Sequence, residues 1–117
     1  MIRKTVALVF ASLLAAPVWA ADPAAGAQIA QKVCAACHGP DGNTSTSPEF
    51  PRLAGQHEDY LLQAMKQYKS GARKNPIMAA QVQPLSERDM ENLAAYFASQ
   101  KGSLYLIRES RLQSASK

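Results

Sequence analysis

From residue 39 to residue 56 the chain runs for eighteen residues (GPDGNTSTSPEFPRLAGQ) with three glycines, three prolines and no apolar periodicity. A stretch of that length is uncommon inside a compact domain unless something is packed beneath it. The segments around it do not offer much to pack. Upstream, Asp22 and Pro23 are cap and first-turn residues for a helix that carries Ile29 and Val33 four apart, runs to about Cys37 and stops at Gly39-Pro40. Downstream, a second helix is predicted from His57 to Ser70, with Leu61, Ala64, Met65 and Tyr68 on one stripe and Gly71 at its end. Residues 72–85 read as a further connection, punctuated by Asn75-Pro76 and Pro84. A last helix opens on the capping-box-like Ser86-Glu87-Arg88-Asp89, repeats the stripe at Met90, Leu93, Ala94 and Phe97, and closes at Gly102. Nothing alternates convincingly as a strand. The expected fold is therefore all-α, three main helices joined by long loops. Three short stripes make a thin core, so a large apolar insert is needed both as core and as floor for the loops.

The first twenty residues stand apart. Arg3 and Lys4 precede an apolar run to Ala16, and Val18 and Ala20 occupy the small-residue positions before a cleavable bond. This is the layout of a secretory signal peptide, with cleavage expected after Ala20. The apolar run is short for a retained anchor of ~20 residues. Residues 1–20 are thus assigned as signal peptide, 21–102 as the domain and 103–117 as a tail with an apolar start at 104–107 and a polar end. Export implies a compartment in which free thiols tend to oxidise. Loss of Arg3 and Lys4 also takes the net charge from +4 to about +2, with no basic block left to argue for nucleic acid.

The only two cysteines, Cys34 and Cys37, are followed at once by His38. They fall at the end of the first predicted helix, where residues three and four apart share one face. Four chemistries compete for that arrangement. A thiol–disulfide oxidoreductase using the Cys34/Cys37 pair needs the pair at a helix start after a strand, where the dipole lowers a thiol pKa. A zinc site can be counted from Cys34, Cys37, His38 and His57, but the second ligand pair at the usual spacing is missing. A disulfide between residues three apart closes almost no loop. Covalent attachment of a haem suits every feature: two sulfurs on one face, an imidazole for the iron, an exported chain, and an apolar disc to fill the thin core.

If His38 holds one face of the iron, the other face has candidates in Met65, Met78, Met90 and His57. Met65 and Met90 lie on apolar helical stripes, where methionine is ordinarily core packing. His57 opens a helix and reads as a locally bonded imidazole. Met78 falls in the 72–85 connection, two residues after Pro76, and is favoured as the second axial ligand; a bis-histidine iron or an open sixth position are the alternatives. A Met/His pair leaves no position for substrate and raises the reduction potential, so outer-sphere electron transfer is the chemistry that remains. No paired carboxylates or nucleophile–base pair stand out elsewhere; Glu58-Asp59 and Glu87 to Asp89 read as acidic first turns of helices.

Four stretches, CAACHGPDGN, FPRLAGQHEDYLLQAM, NPIMAAQV and LSERDMENLAAYFASQ, together resemble the class I c-type cytochromes, in the bacterial mono-haem branch that is similar to a single domain of the dihaem cytochrome c-four type. The resemblance implies three helices and long loops wrapped around one covalent haem c. It implies that Cys34 and Cys37 form the thioethers, that His38 and Met78 are the axial ligands, and that the Pro51 carbonyl accepts the proximal imidazole N–H; from the residues alone Pro51 is equally a loop stiffener. Gly26 corresponds to a glycine at the crossing of the terminal helices, packed by Tyr96 or Phe97. Arg73, Lys74, Asn75 and Gln56 could approach the haem propionates or simply be solvated. The implied function is a periplasmic, non-enzymatic one-electron carrier of respiratory electron transport, a monomer without stable membrane insertion, exchanging electrons with redox protein partners. The alternative within haem proteins is an electron-transfer subunit of a larger oxidoreductase complex. With one Cys-x-x-Cys-His the chain is not a complete dihaem protein.

Overall fold

A computed structural model describes residues 20–103. Residues 1–19 of the expected signal peptide (1–20) and residues 104–117 of the expected tail (103–117), including its apolar start, lie outside the described residues. Among the described residues the chain is helical, without strands: α1 (Pro23–Ile29), a π-helical turn (Ala30–Cys34), α2 (Ala35–His38), α3 (Glu58–Ser70), α4 (Pro76–Val82) and α5 (Glu87–Ser99). The loop at 39–56 carries no regular element, as expected.

Local chemistry accounts for the element ends. The Asp22 carboxylate accepts from the amides of Ala24 and Ala25, with Pro23 at the first helical position. Gly71, at φ 78°, closes α3 in the left-handed conformation. Ser86 and Asp89 form the reciprocal capping box at the start of α5. The last helix ends at Ser99 with an extended Gln100, three residues earlier than the closure expected at Gly102. Gly102 instead lies against the backbone of Ala54, where a Cβ would meet the carbonyl oxygen at 1.9 Å.

Two elements depart from expectation. Residues 76–82 are a helix rather than connection: Asn75 caps it through its side-chain oxygen and Pro76 stands at its first position. Asn-Pro here starts an element, and Met78 sits in the first turn of α4. The first helix, expected as one run, contains a wide turn in which the Ala35 N–H reaches back five residues to the Ala30 carbonyl. One extra residue in a turn rotates everything after it by ~100° relative to a regular helix. The Cys34-to-His38 face is thereby turned away from the face that Gly26 and Ala30 present to α5.

The core forms where α1, α3 and α5 meet, around the buried Ala30, Leu61, Val82, Leu85, Met90, Leu93, Ala94 and Phe97. At the α1–α5 crossing a Cβ on Gly26 would lie 2.0 Å from the Asn92 carbonyl oxygen and 2.9 Å from Tyr96 Cβ, so the two backbones are in direct contact. Tyr96, of the two expected aromatics, borders Gly26; Phe97 packs on Gly42 instead. The buried Asn92 side chain locks the crossing by accepting the Asp22 amide N–H at 2.7 Å. A side chain on α5 thus also fixes the start of α1.

Candidate functional site

The wide turn places Cys34, Cys37 and His38 on the wall of one cavity of about 360 Å³, within the range of small-molecule and cofactor sites. Its wall is built mainly from apolar side chains, among them Val33, Leu61, Ala64, Val82, Leu85, Leu93 and Phe97. Polar groups, Arg52, Gln56, Tyr60, Arg73 and Asn75, also line it. The 39–56 loop, whose floor was in question, contributes Glu49, Phe50, Pro51, Arg52, Leu53 and Gln56. The loop is therefore one wall of this cavity rather than a cover over solid core.

His38 is 6% exposed and rigidly held. Its Nδ1 lies 2.8 Å from the Pro51 carbonyl oxygen. A carbonyl can only accept, so Nδ1 is the donor, and in the neutral imidazole Nε2 is the nitrogen that keeps a lone pair. Phe50 packs edge-on against the ring, centroid to centroid 6.3 Å. Just beyond, Gly39 turns the chain at φ 82°, where a Cβ would meet the Thr44 carbonyl oxygen at 2.2 Å. Thr46 then clasps the end of α2: its amide donates to the Cys37 carbonyl at 3.0 Å and its hydroxyl to the Ala36 and Cys37 carbonyls. Tyr96 Oη and Gln31 Nε2 donate to the Pro40 carbonyl from two different helices. An imidazole pinned at one nitrogen and free at the other is the usual state of a metal-bound histidine.

The two cysteines are partly buried and not joined to each other. Burial, and secondarily the nearby Cys37, pushes the Cys34 thiol up to about 11. Redox thiols need the opposite shift, and these lie at the C-terminal end of a helix, where the dipole disfavours a thiolate. Nor do three or more His, Cys, Asp or Glu side chains converge as a metal site among the described residues. His57, the fourth ligand that a zinc site would need, is exposed and does not line the cavity.

Of the methionines considered, Met78 and Met65 line the cavity and Met90 is buried in the core outside it. Met78 reaches the lining from the first turn of α4, whose Ile77, Gln81 and Val82 line it too. Arg73 is held beside it by aromatic groups: its guanidinium donates to Tyr60 Oη at 3.4 Å and stacks 5.0 Å from the Tyr68 ring centroid. These contacts raise the Arg73 pKa, the Tyr60 hydrogen bond first. Arg73 and Gln56 line the cavity, whereas Lys74 does not.

The cytochrome c family model matches residues 23–101, the whole helical fold just described. The chain belongs to the cytochrome c family. Cytochrome c4 of Pseudomonas aeruginosa is 51% identical over 85 residues, covering 73% of this chain and 42% of that protein. A thiosulfate dehydrogenase electron acceptor of Thiomonas intermedia is 38% identical over 99 residues, covering 84% and 43% respectively. The crystal structure of reduced cytochrome c4 from Pseudomonas stutzeri aligns with a TM-score of 0.66 at 44% identity, over 78% of this chain and 52% of that one. The chain thus spans less than half the length of these two curated relatives. Its fold is that of the class I cytochromes, its cofactor is covalent haem c, and its family transfers electrons rather than catalysing a reaction on a bound substrate. The cavity suits that cofactor: apolar walls for a macrocycle, polar groups for its carboxylates, and a histidine with one lone pair in reserve.

Proposed function

We propose that this cytochrome c is a periplasmic one-electron carrier with a single haem, tethered through Cys34 and Cys37 and ligated axially by His38 and Met78. The observation that carries the proposal is the His38–Pro51 hydrogen bond on the wall of a cavity that Cys34, Cys37 and Met78 also line. When bound, haem c supplies a one-electron couple. Each side chain has a distinct part in using it. The Cys34 and Cys37 thiols would hold the cofactor covalently through its vinyl carbons. The Pro51 carbonyl fixes the imidazole tautomer and increases its donor strength. The Met78 thioether would serve as the second iron ligand and, in that role, would favour the reduced state and leave no position for a substrate. Arg73, steadied by Tyr60 and Tyr68, is placed to neutralise a carboxylate at the cavity lining.

The signal peptide supports a periplasmic location, and no helix among the described residues is long and apolar enough to cross a membrane. The protein acts as a monomer that meets redox protein partners in turn. The Thiomonas relative, named as an electron acceptor of thiosulfate dehydrogenase, supports an enzyme of that kind as one donor. Production in a periplasm equipped for haem attachment should give a coloured protein that keeps its colour through acid–acetone extraction. Its redox titration should follow a one-electron curve, about 59 mV per decade. A colourless product with two freely titrating thiols would refute the proposal.

A further inference from the structure

The helix that carries Met78 is held differently from its neighbours. α4 packs against α3 and barely touches the other helices. Of its seven residues only Val82 is buried. An isolated helix shorter than about 12 residues is marginal in water, so attachment to α3 is what keeps α4 in place. The attachments lie on both flanks. The last four carbonyls of an α-helix have no partner within it. In α3 two of them are taken by residues on either side of α4: the Arg73 amide donates to the Gln67 carbonyl at 3.1 Å, and Gln83 Nε2 to the Lys69 carbonyl at 3.0 Å. Lys69 answers the second contact, its Nζ donating to the Leu85 carbonyl. The Leu85 amide in turn donates to the Val82 carbonyl at 3.1 Å. One residue of α3 therefore grips the turn at 82–85 with both its backbone and its side chain. Lys66, one turn earlier on α3, pairs instead with Glu87 in α5 and bypasses this turn.

We propose that Lys69 and Gln83 are positioning residues for the second axial ligand: their two bonds fasten the C-terminal end of α4 to α3 and so keep Met78 at the haem cavity. The inference rests on the Met78 ligation proposed above. A segment held by few buried apolar contacts opens locally at a lower free energy than the whole fold. Opening of α4 would carry Met78 off the cavity wall and leave its position to a small external ligand. The apparent affinity for that ligand is its intrinsic affinity scaled by the open fraction. The Gln83 bond is exposed and the Lys69–Leu85 bond partly buried. Loss of one hydrogen bond of ordinary net strength raises the open fraction by about two- to tenfold.

The test titrates imidazole into the oxidised holoprotein and follows loss of the far-red sulfur-to-iron band. Gln83→Ala and Lys69→Ala should each lower the imidazole Kd about two- to tenfold. Lys69→Arg, which keeps a donor, should stay close to wild type. Lys66→Ala removes the same charge one turn away and should leave the Kd unchanged. Asp22→Ala strips the cap of α1 and should lower the guanidinium midpoint of the helical circular-dichroism signal, again without moving the imidazole Kd. Wild-type affinity in both Gln83→Ala and Lys69→Ala would overturn the inference while leaving the haem reading intact. So would an equal gain in Lys66→Ala or Asp22→Ala, which would assign the effect to charge or to general stability. A wild-type holoprotein without the far-red band would remove Met78 ligation and this inference together, and a colourless product would sink the haem reading as well.

Discussion

The α1–α5 crossing offers a sharp energetic test in Gly26→Ala. The new Cβ would sit 2.0 Å from the Asn92 carbonyl oxygen, 2.5 Å from its carbon and 2.9 Å from Tyr96 Cβ. Ordinary contact begins near 3.4 Å, and two of these three atoms are backbone, which cannot swing aside. The helices must separate by more than an ångström, and the Asp22–Asn92 hydrogen bond across the crossing goes with them. Overpacking of this kind costs about 1–3 kcal/mol, here near the upper end. The lost hydrogen bond adds roughly 1 kcal/mol. Alanine returns about 1 kcal/mol of helix propensity. The net expectation is about 2–3 kcal/mol, read as a lower guanidinium midpoint of the helical circular-dichroism signal at unchanged slope. Gly71→Ala is the control: no atom lies within 4 Å of the place its Cβ would take, but its φ of 78° is left-handed, so it should cost only about 1 kcal/mol. If Gly26→Ala proves as stable as wild type, the two backbones are not in contact at this crossing.

Leu93 is 0% exposed and lines the haem cavity, so Leu93→Ala should cost about 2–5 kcal/mol by the same denaturant assay. Ser86→Ala removes the reciprocal cap of α5 and should cost about 1 kcal/mol. The Asp89 carboxyl is held below its usual value, first by the Ser86 side chain and then by the Ser86 backbone. A depressed folded-state pKa means that its contribution is complete above the unfolded value of ~3.9 and is lost as pH falls through the folded one. The melting-temperature gap between wild type and Asp89→Ala should therefore be constant near neutrality and close below about pH 4; a gap that widens in acid would contradict the capping role.

What could be foreseen follows the reach of each physical signal. The stripes of α3 and α5 and the caps at Asp22 and Ser86 are local patterns, and the helices form where those patterns lie. At seven residues α4 is too short to show periodicity, and Asn75-Pro76 reads equally as a turn or as cap and first position; only tertiary contact decides. The wide turn at Ala30–Cys34 has no residue signature, because it is dictated by the need to aim α2 at the cavity while α1 lies on α5. Asn92 carries no local signal of its role, because its buried bond to Asp22 depends on a partner seventy residues away. At the site, Cys34, Cys37, His38, Pro51 and Met78 are brought to one cavity from three separated segments. The Pro51 contact is made by a backbone carbonyl, which carries no side-chain signal; the family resemblance alone pointed to it. Cavity lining does not separate Met78 from Met65, since both contribute.

That last ambiguity leads to the most direct test of the account. The oxidised wild-type protein should show the far-red sulfur-to-iron charge-transfer band of a methionine ligand. Met78→Ala should abolish the band, while Met65→Ala and Met90→Ala should retain it. A band that survives Met78→Ala and disappears with Met65→Ala would move the ligand to α3. A wild-type protein without the band would contradict methionine ligation altogether.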